Sequence, residues 1–211
     1  MRTLFVGDHN LSSWSLRPFM ALAHSGLPFE VEVVRLDRPE TAARLAAVSP
    51  SGKVPCLRDG EVVVWESLAI CEYVAELAPQ ARLWPEAPAG RALARAASCE
   101  MHAGFVPLRR EHPMRLAERL PKAPSAEVQK DLARLDALFG ECRARFGEGG
   151  PFLFGAFSIA DCMFTPVASR IRTYDLPVSA TTQAWCEAIF AHPAFRRWEA
   201  AAQRELGTSA P

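Results

Sequence analysis

The chain has 211 residues, with 24 basic and 24 acidic side chains, a formal net charge of zero and 49% hydrophobic residues. That length buries a core without staples, and the composition is that of an ordinary globular protein, not a disordered one. The charge balance argues against nucleic acid and against an acidic membrane surface, both of which select a basic excess. No apolar run approaches the roughly 20 residues that span a bilayer.

The opening MRTLFVGDHN lacks an apolar segment of signal-peptide length, so a cytoplasmic protein is expected. Six cysteines (Cys56, Cys71, Cys99, Cys142, Cys162, Cys186) contain no C-x-x-C pair, and five dispersed histidines contain no H-x-x-x-H pair. The expectation is scattered, mostly buried thiols acting as small hydrophobes, and no metal.

In chain order, residues 3–7 read as a strand, and Leu16, Phe19, Met20 and Ala23 recur at helical spacing up to Gly26. Residues 29–36 alternate with period two and form a second strand. Residues 39–50 read as a short helix with proline at its entry. Residues 54–58 and 62–65 make a hairpin around Asp59-Gly60, and residues 67–78 an amphipathic helix. The order strand, helix, strand, helix, strand, strand, helix is thioredoxin-like. The proline-rich stretch 79–88 predicts a linker, and residues 89–211 an all-helical domain. Residues 1–78 carry 7 basic and 10 acidic side chains, and the remainder 17 and 14, giving −3 and +3. Attraction across the boundary is expected, weakened by salt.

Four motifs in this order resemble the cytosolic glutathione transferase family over nearly the whole chain: Ser12-Ser13-Trp14-Ser15-Leu16-Arg17, similar to the zeta-class motif; Ser49-Pro50-Ser51-Gly52-Lys53-Val54-Pro55; Glu66-Ser67; and Ser158-Ile159-Ala160-Asp161, similar to the family's internal capping box. The resemblance implies a thioredoxin-like α/β domain followed by an all-α domain. It also implies glutathione as co-substrate and a homodimer.

The residues have a physical reading of their own. A free thiol has a pKa of about 8.5, so an enzyme using it as a nucleophile must stabilise the anion. A hydroxyl donor and a helix N-terminus do this, and Ser12 and Ser13 stand where the first strand meets the first helix. Pro18 fits best in a first helical turn, which predicts a start near Trp14 or Ser15. The resemblance gives the thiol contact to Ser12, while the residues alone leave Ser12 and Ser13 open, or make both mere caps. It also makes Pro55 cis and frees the Val54 backbone to pair with the tripeptide; spacing alone does not fix the isomer. Glu66 and Ser67 suit the γ-glutamyl ammonium and carboxylate. Lys53 suits the glycyl carboxylate, or is an exposed turn lysine.

For the electrophile, residues 98–114 form the segment to watch. Met101, Phe105 and Leu108 fall on one helical stripe and read first as core. Met101, His102, Phe105 and Arg109 are the alternative pocket set, with Trp14 at the mouth. Ser158 and Asp161 read as a structural capping box. Transfer of the thiol to a small hydrophobic electrophile is the leading expectation. Glutathione-dependent cis–trans isomerisation and a non-catalytic adaptor on the same fold are the alternatives. Trp14 replaces the cysteine usual in the zeta motif, which weighs against the isomerase.

Overall fold

A computed structural model describes residues 1–208; residues 209–211, the end of the expected helical domain, lie outside the described residues. Four strands form one sheet in the order β2-β1-β3-β4. β1 (Arg2–Val6) pairs in parallel with β2 (Phe29–Val33) and antiparallel with β3 (Cys56–Asp59), which pairs antiparallel with β4 (Val62–Trp65). The parallel pair requires a crossover, and α1 (Ser13–Ser25) supplies it. Leu4 faces Val31 on one side and Leu57 on the other and is fully buried. α2 (Thr41–Val48) precedes β3, and α3 (Ser67–Leu77) follows β4. Mixed sheet and helices form a thioredoxin-like unit, as the element order predicts.

After a single 3₁₀ turn (Pro79–Ala81), the rest is helical: α4 (Pro88–Ala103), α5 (Val106–Glu111), α6 (Ala126–Phe146), α7 (Ile159–Tyr174), α8 (Ala180–Ala191) and α9 (Pro193–Thr208). One apolar core runs from Leu4 in the sheet to Ala202 in α9. α7 is its axis, buried along nearly its whole length and packed against α1, α4 and α8. Ion pairs cross between the two parts in both senses: Arg95 of the helical part pairs with Glu72 at 3.3 Å, in the expected sense, and Arg35 pairs with Glu205 of the helical part at 3.2 Å, in the reverse one.

Three expectations need correction. The second strand ends at Val33, because the Leu36 N–H turns aside to the Asp8 carboxylate at 2.8 Å. α1 starts at Ser13, with Ser12 at the N-cap position and Pro18 inside the helix, past its first turn. The Ser12 carbonyl already accepts from the Leu16 N–H, and Pro18 removes only the donor that would reach the Trp14 carbonyl. The stretch 98–114 is not one helix. It breaks between α4 and α5 at Gly104 and Phe105, with Phe105 left-handed at φ 54°. A Cβ on Gly104 would meet the Glu100 carbonyl oxygen at 2.8 Å, and Pro107, in the first turn of α5, has no N–H to carry the α4 ladder on to the Ala103 carbonyl. Met101, Phe105 and Leu108 are buried core residues all the same.

The capping box forms as expected. The Asp161 carboxylate accepts from the Ser158 N–H (2.9 Å) and hydroxyl (2.8 Å), the Leu153 N–H (3.0 Å) and the Trp185 Nε1–H (2.8 Å). Complete burial pushes its pKa up in spite of these donors. Asp161→Ala strands all of them in the core, each at about 1–3 kcal/mol. The expected loss is at least about 3 kcal/mol of unfolding free energy, read as a drop in the urea midpoint at unchanged slope.

A histidine pair joins α1 to the α8–α9 turn. The Ala194 N–H donates to His192 Nδ1 at 3.2 Å, which leaves the His192 proton on Nε2, 3.1 Å from His24 Nδ1. Burial, followed by the charge of His24, lowers the His192 pKa to about 4, and burial lowers those of His24, His102 and His112. Below about 6.5 the unfolded chain therefore binds more of these protons than the fold, so stability falls as pH falls. Asp161, shifted upward, opposes this as one group against four. The urea midpoint should drop from pH 6.5 to pH 4, and more shallowly in His192→Gln.

Candidate active site

The loop from β1 into α1 is built tightly. The Asp8 carbonyl accepts from the Leu11 and Ser12 N–H groups, at 3.1 and 2.8 Å. The Ser12 hydroxyl donates to Ser15 Oγ at 2.8 Å, and the Gly7 N–H reaches the same oxygen at 3.1 Å. Ser13, the first helical residue, has no hydrogen bond on its hydroxyl among the described residues. The loop's outer side is held by distant helices. Trp198 Nε1–H donates to the His9 carbonyl at 2.8 Å, and the Glu205 carboxylate meets His9 Nδ1 at 2.6 Å and the Asn10 N–H at 3.3 Å.

The Val54–Pro55 bond is cis, which the spacing left open. Val54 stands one turn of chain before β3 and makes no backbone–backbone hydrogen bond among the described residues. Glu66 holds φ 70° at the junction of β4 and α3, and its carbonyl accepts from the Ile70 N–H. Ser67, at the start of α3, is fully buried, and its hydroxyl has no partner.

These segments enclose a cavity of about 310 Å³ lined by Trp14, Ser51, Lys53, Val54, Pro55, Glu66 and His102. Six residues expected at the site thus converge on it: Trp14, Lys53, Val54, Pro55, Glu66 and His102. Ser12, Ser13, Ser67, Met101, Phe105 and Arg109 do not line it. Ser12 and Ser13 lie just behind Trp14 in sequence and are nearly buried, while Met101 and Phe105 belong to the core. Arg109 donates through Nη1 to the His102 carbonyl at 3.2 Å.

Trp14 organises the wall. Its ring meets His102 edge-on at 5.1 Å, and the guanidinium groups of Arg17 and Arg109 lie over it, 4.1 and 5.3 Å from its centroid. His102 Nε2 stands 3.6 Å from Glu66. Burial first, then the nearby Arg17 and Arg109 charges, lower the His102 pKa, with Glu66 opposing, so the ring is neutral at pH 7. Ser51 and Arg17 were given no role from sequence. Ser51 sat unremarked in a turn motif. Arg17 carried a signal, a charge placed between the core residues Leu16 and Phe19.

The donors fit a tripeptide with two carboxylates and one ammonium. Lys53 offers a cation and Glu66 an anion. The unpartnered Ser67 hydroxyl and the α3 N-terminus suit a carboxylate, and the free Val54 backbone suits a peptide. Among the described residues no group of three or more His, Cys, Asp or Glu side chains is placed to hold a metal ion, and all six cysteines are free. No helix among them is long and apolar enough to cross a membrane.

Comparison with known proteins bears on the family and the fold. The family model for the glutathione S-transferase N-terminal domain matches residues 11–77, and that for its C-terminal domain residues 125–201. A probable maleylacetoacetate isomerase from Caenorhabditis elegans is 30% identical over 177 residues, covering 80% of this chain and 78% of its own. A stringent starvation protein A homolog from Coxiella burnetii is 28% identical over 173 residues, covering 80% and 75%. In fold, the chain is similar to a glutathione transferase homolog from Burkholderia GL BGR1 with bound glutathione, at TM-score 0.73 and 24% identity, covering 96% of this chain and 98% of that one. The chain belongs to the glutathione S-transferase family.

Glu66 pays for its place in the cavity with backbone strain, since a non-glycine residue at φ 70° with an extended ψ of 127° costs about 1–3 kcal/mol. Glu66→Gly should therefore raise the thermal midpoint by a few degrees, the gain partly offset by glycine's greater unfolded-state entropy. The same variant should bind glutathione more weakly. Calorimetry in the presence and absence of the tripeptide checks both halves.

Proposed function

We propose that the protein is a glutathione transferase of the serine type. The observation that carries this is the convergence of Val54-Pro55, Lys53 and Glu66 on one cavity, with the unpartnered Ser67 hydroxyl beside it. In this reading the tripeptide lies along the Val54 backbone. Its γ-glutamyl end meets Glu66 and Ser67, and its glycyl carboxylate meets Lys53. Its sulfur lies toward the N-terminus of α1, where Ser12 or Ser13 donates a hydroxyl hydrogen bond to the thiolate. The thiol proton leaves to solvent, and the sulfur electron pair forms the new bond to an electrophilic carbon whose π bond breaks, its electron pair moving to the neighbouring atom and taking up a proton from solvent. Trp14, His102 and Arg109 stand on the electrophile's side, with Met101 and Phe105 packed behind.

Residues 1–78 form the glutathione-binding domain, residues 79–88 the linker and residues 89–211 the helical domain in this reading. The protein is cytoplasmic and works as a homodimer in detoxification. Val62 and Trp65, both more than two-fifths exposed on the edge strand β4, support an interface there.

A second reading, glutathione-dependent isomerisation, draws support from the isomerase relative and from Arg109 beside the Trp14 wall, where a cation suits a carboxylate-bearing electrophile. The adaptor reading has the starvation-protein relative behind it. An intact set of tripeptide contacts weighs against it, because a fold kept for protein contacts alone needs none of them.

Titration of protein-bound glutathione, followed by thiolate absorbance, tests the reading. The wild type should show a thiol pKa about two units below that of free glutathione, worth about 2.7 kcal/mol. One of Ser12→Ala and Ser13→Ala should return it most of the way, which identifies the donor. Binding with an unshifted thiol would mean a carrier, and absence of binding would leave the adaptor.

A further inference from the structure

At the head of α1 a serine in the capping position does not cap. Ser12 is the N-cap residue, yet its hydroxyl accepts no hydrogen bond from the helix. A serine at that position ordinarily accepts from the backbone N–H two or three residues on. Here its hydroxyl reaches the side chain of the third residue instead, Ser15 Oγ, at 2.8 Å. The same Ser15 oxygen takes the Gly7 N–H at 3.1 Å. Ser15 is fully buried and Ser12 nearly so.

A hydroxyl carries one hydrogen and two lone pairs. In the empty protein both lone pairs of Ser15 are taken, by Ser12 and by Gly7, and among the described residues its own hydrogen meets no acceptor. Ser12 is the converse case. Its hydrogen goes to Ser15, and among the described residues its own lone pairs accept nothing. Reversing the one bond between them removes both shortfalls. Ser15 then gives its hydrogen to Ser12 Oγ, still accepting from Gly7, and the Ser12 hydrogen is released for an anion. Only the hydrogens turn about their C–O bonds; the two oxygens stay where they are.

We propose that Ser15 is a positioning residue for the glutathione thiolate, the middle link of a donor chain that runs from the Gly7 N–H through the Ser15 and Ser12 hydroxyls to sulfur. The inference rests on the glutathione reading above and selects Ser12 over Ser13 as the group that touches the sulfur. The Ser12–Ser15 contact exists before and after ionisation, so turning the Ser12 hydrogen to the sulfur sacrifices no bond. A hydroxyl that itself accepts a hydrogen bond donates more strongly, by about 10–30% per link. The chain therefore favours thiolate over thiol. No proton passes along it: the thiol proton leaves to solvent, and each serine keeps its own.

The test reads two quantities, the pKa of bound glutathione's thiol and the affinity for S-methylglutathione, which has no thiol to ionise. Wild type is compared with Ser15→Ala, with Ser15→Thr, which keeps a hydroxyl, with Ser12→Ala and Ser13→Ala, and with the Ser12→Ala/Ser15→Ala double variant. Ser15→Cys, a weak donor, stands in if the alanine variant does not fold. In Ser15→Ala the thiol pKa should rise by about half a unit, roughly a threefold loss of thiolate below that pKa. S-methylglutathione affinity should stay within about twofold, and Ser15→Thr should keep most of the depressed thiol pKa. The double variant should ionise glutathione no worse than Ser12→Ala alone, because Ser15 acts only through Ser12. A shift of equal size with and without Ser12 would mark a packing effect and overturn the proposal. So would an unchanged thiol pKa in Ser15→Ala, or a pKa that responds to Ser13→Ala and not to Ser12→Ala; each leaves the functional reading standing. A wild type that binds no glutathione, or binds it with an unshifted thiol, would overturn both.

Discussion

The turn from β1 into α1 is the constraint on which the rest depends. A Cβ at Gly7 would fall 2.9 Å from the Ser12 Cβ and 2.9 Å from Leu36 Cδ1, so the strand can enter the helix here only as glycine. The shared Ser15 oxygen ties Gly7 to Ser12 and fixes how the helix begins. That one joint sets where α1 points its free N–H groups, where Trp14 stands, and which face Arg17 presents to the interior. It is held from outside as well. Asn10 accepts the Ala117 N–H at 3.0 Å through its side chain and the Leu116 N–H at 3.1 Å through its carbonyl. The α9 residues Trp198 and Glu205 close the other side. The helical part is thus a brace for the loop that carries the serines, not only a wall for a second substrate.

The electrostatics follow from the same joint. Because α1 lies against α7, its inward face is deep in the shared core, and a charge placed there meets almost no water. Arg170, also buried, settles its guanidinium on the His112 and Pro166 carbonyls, at 2.9 and 3.2 Å. Arg17 has no such carbonyls. Two arginines thus sit in one core, and among the described residues one guanidinium is hydrogen-bonded and the other is not. Burial alone does not distinguish them; the hydrogen-bond count does.

Much of the fold was legible, for identifiable reasons. β4 and the start of α3 fall where the sequence puts them, because a valine run bounded by Asp59-Gly60 and by Glu66-Ser67 carries its own punctuation. The capping box was legible because both partners lie within one turn. What escaped was non-local or depended on steric detail. The break at Gly104–Phe105 interrupts a good helical period, and only the close Glu100 carbonyl and Pro107 reveal it. The hold of Glu205 on His9 spans 196 residues and has no signature in spacing. Six of the expected site residues do line the cavity, and these come mostly from short turns where backbone geometry is set locally. Those that do not include Met101 on α4 and Phe105 at the break after it, whose facing depends on packing.

This difference explains why the two halves of the site are unequally readable. In the proposed reading a tripeptide is met largely by backbone and by helix ends, with Val54 before β3, Glu66-Ser67 at the head of α3, and the start of α1 as the groups concerned. Such groups are fixed once the thioredoxin-like unit folds, and many side chains around them are compatible with the same contacts. The opposite wall consists of side chains brought from separate elements, Trp14 from α1 and His102 from α4, with Arg109 from α5 over the Trp14 ring, and their tips meet only after the helical part has docked. A substitution at one of them changes the pocket without disturbing the joint below it. Relatives named for an isomerase and for a starvation protein can therefore share this fold and diverge in use. Trp14 is where the two halves touch: adjacent to the serines in sequence, its ring meets His102 edge-on and carries the buried Arg17 guanidinium over it.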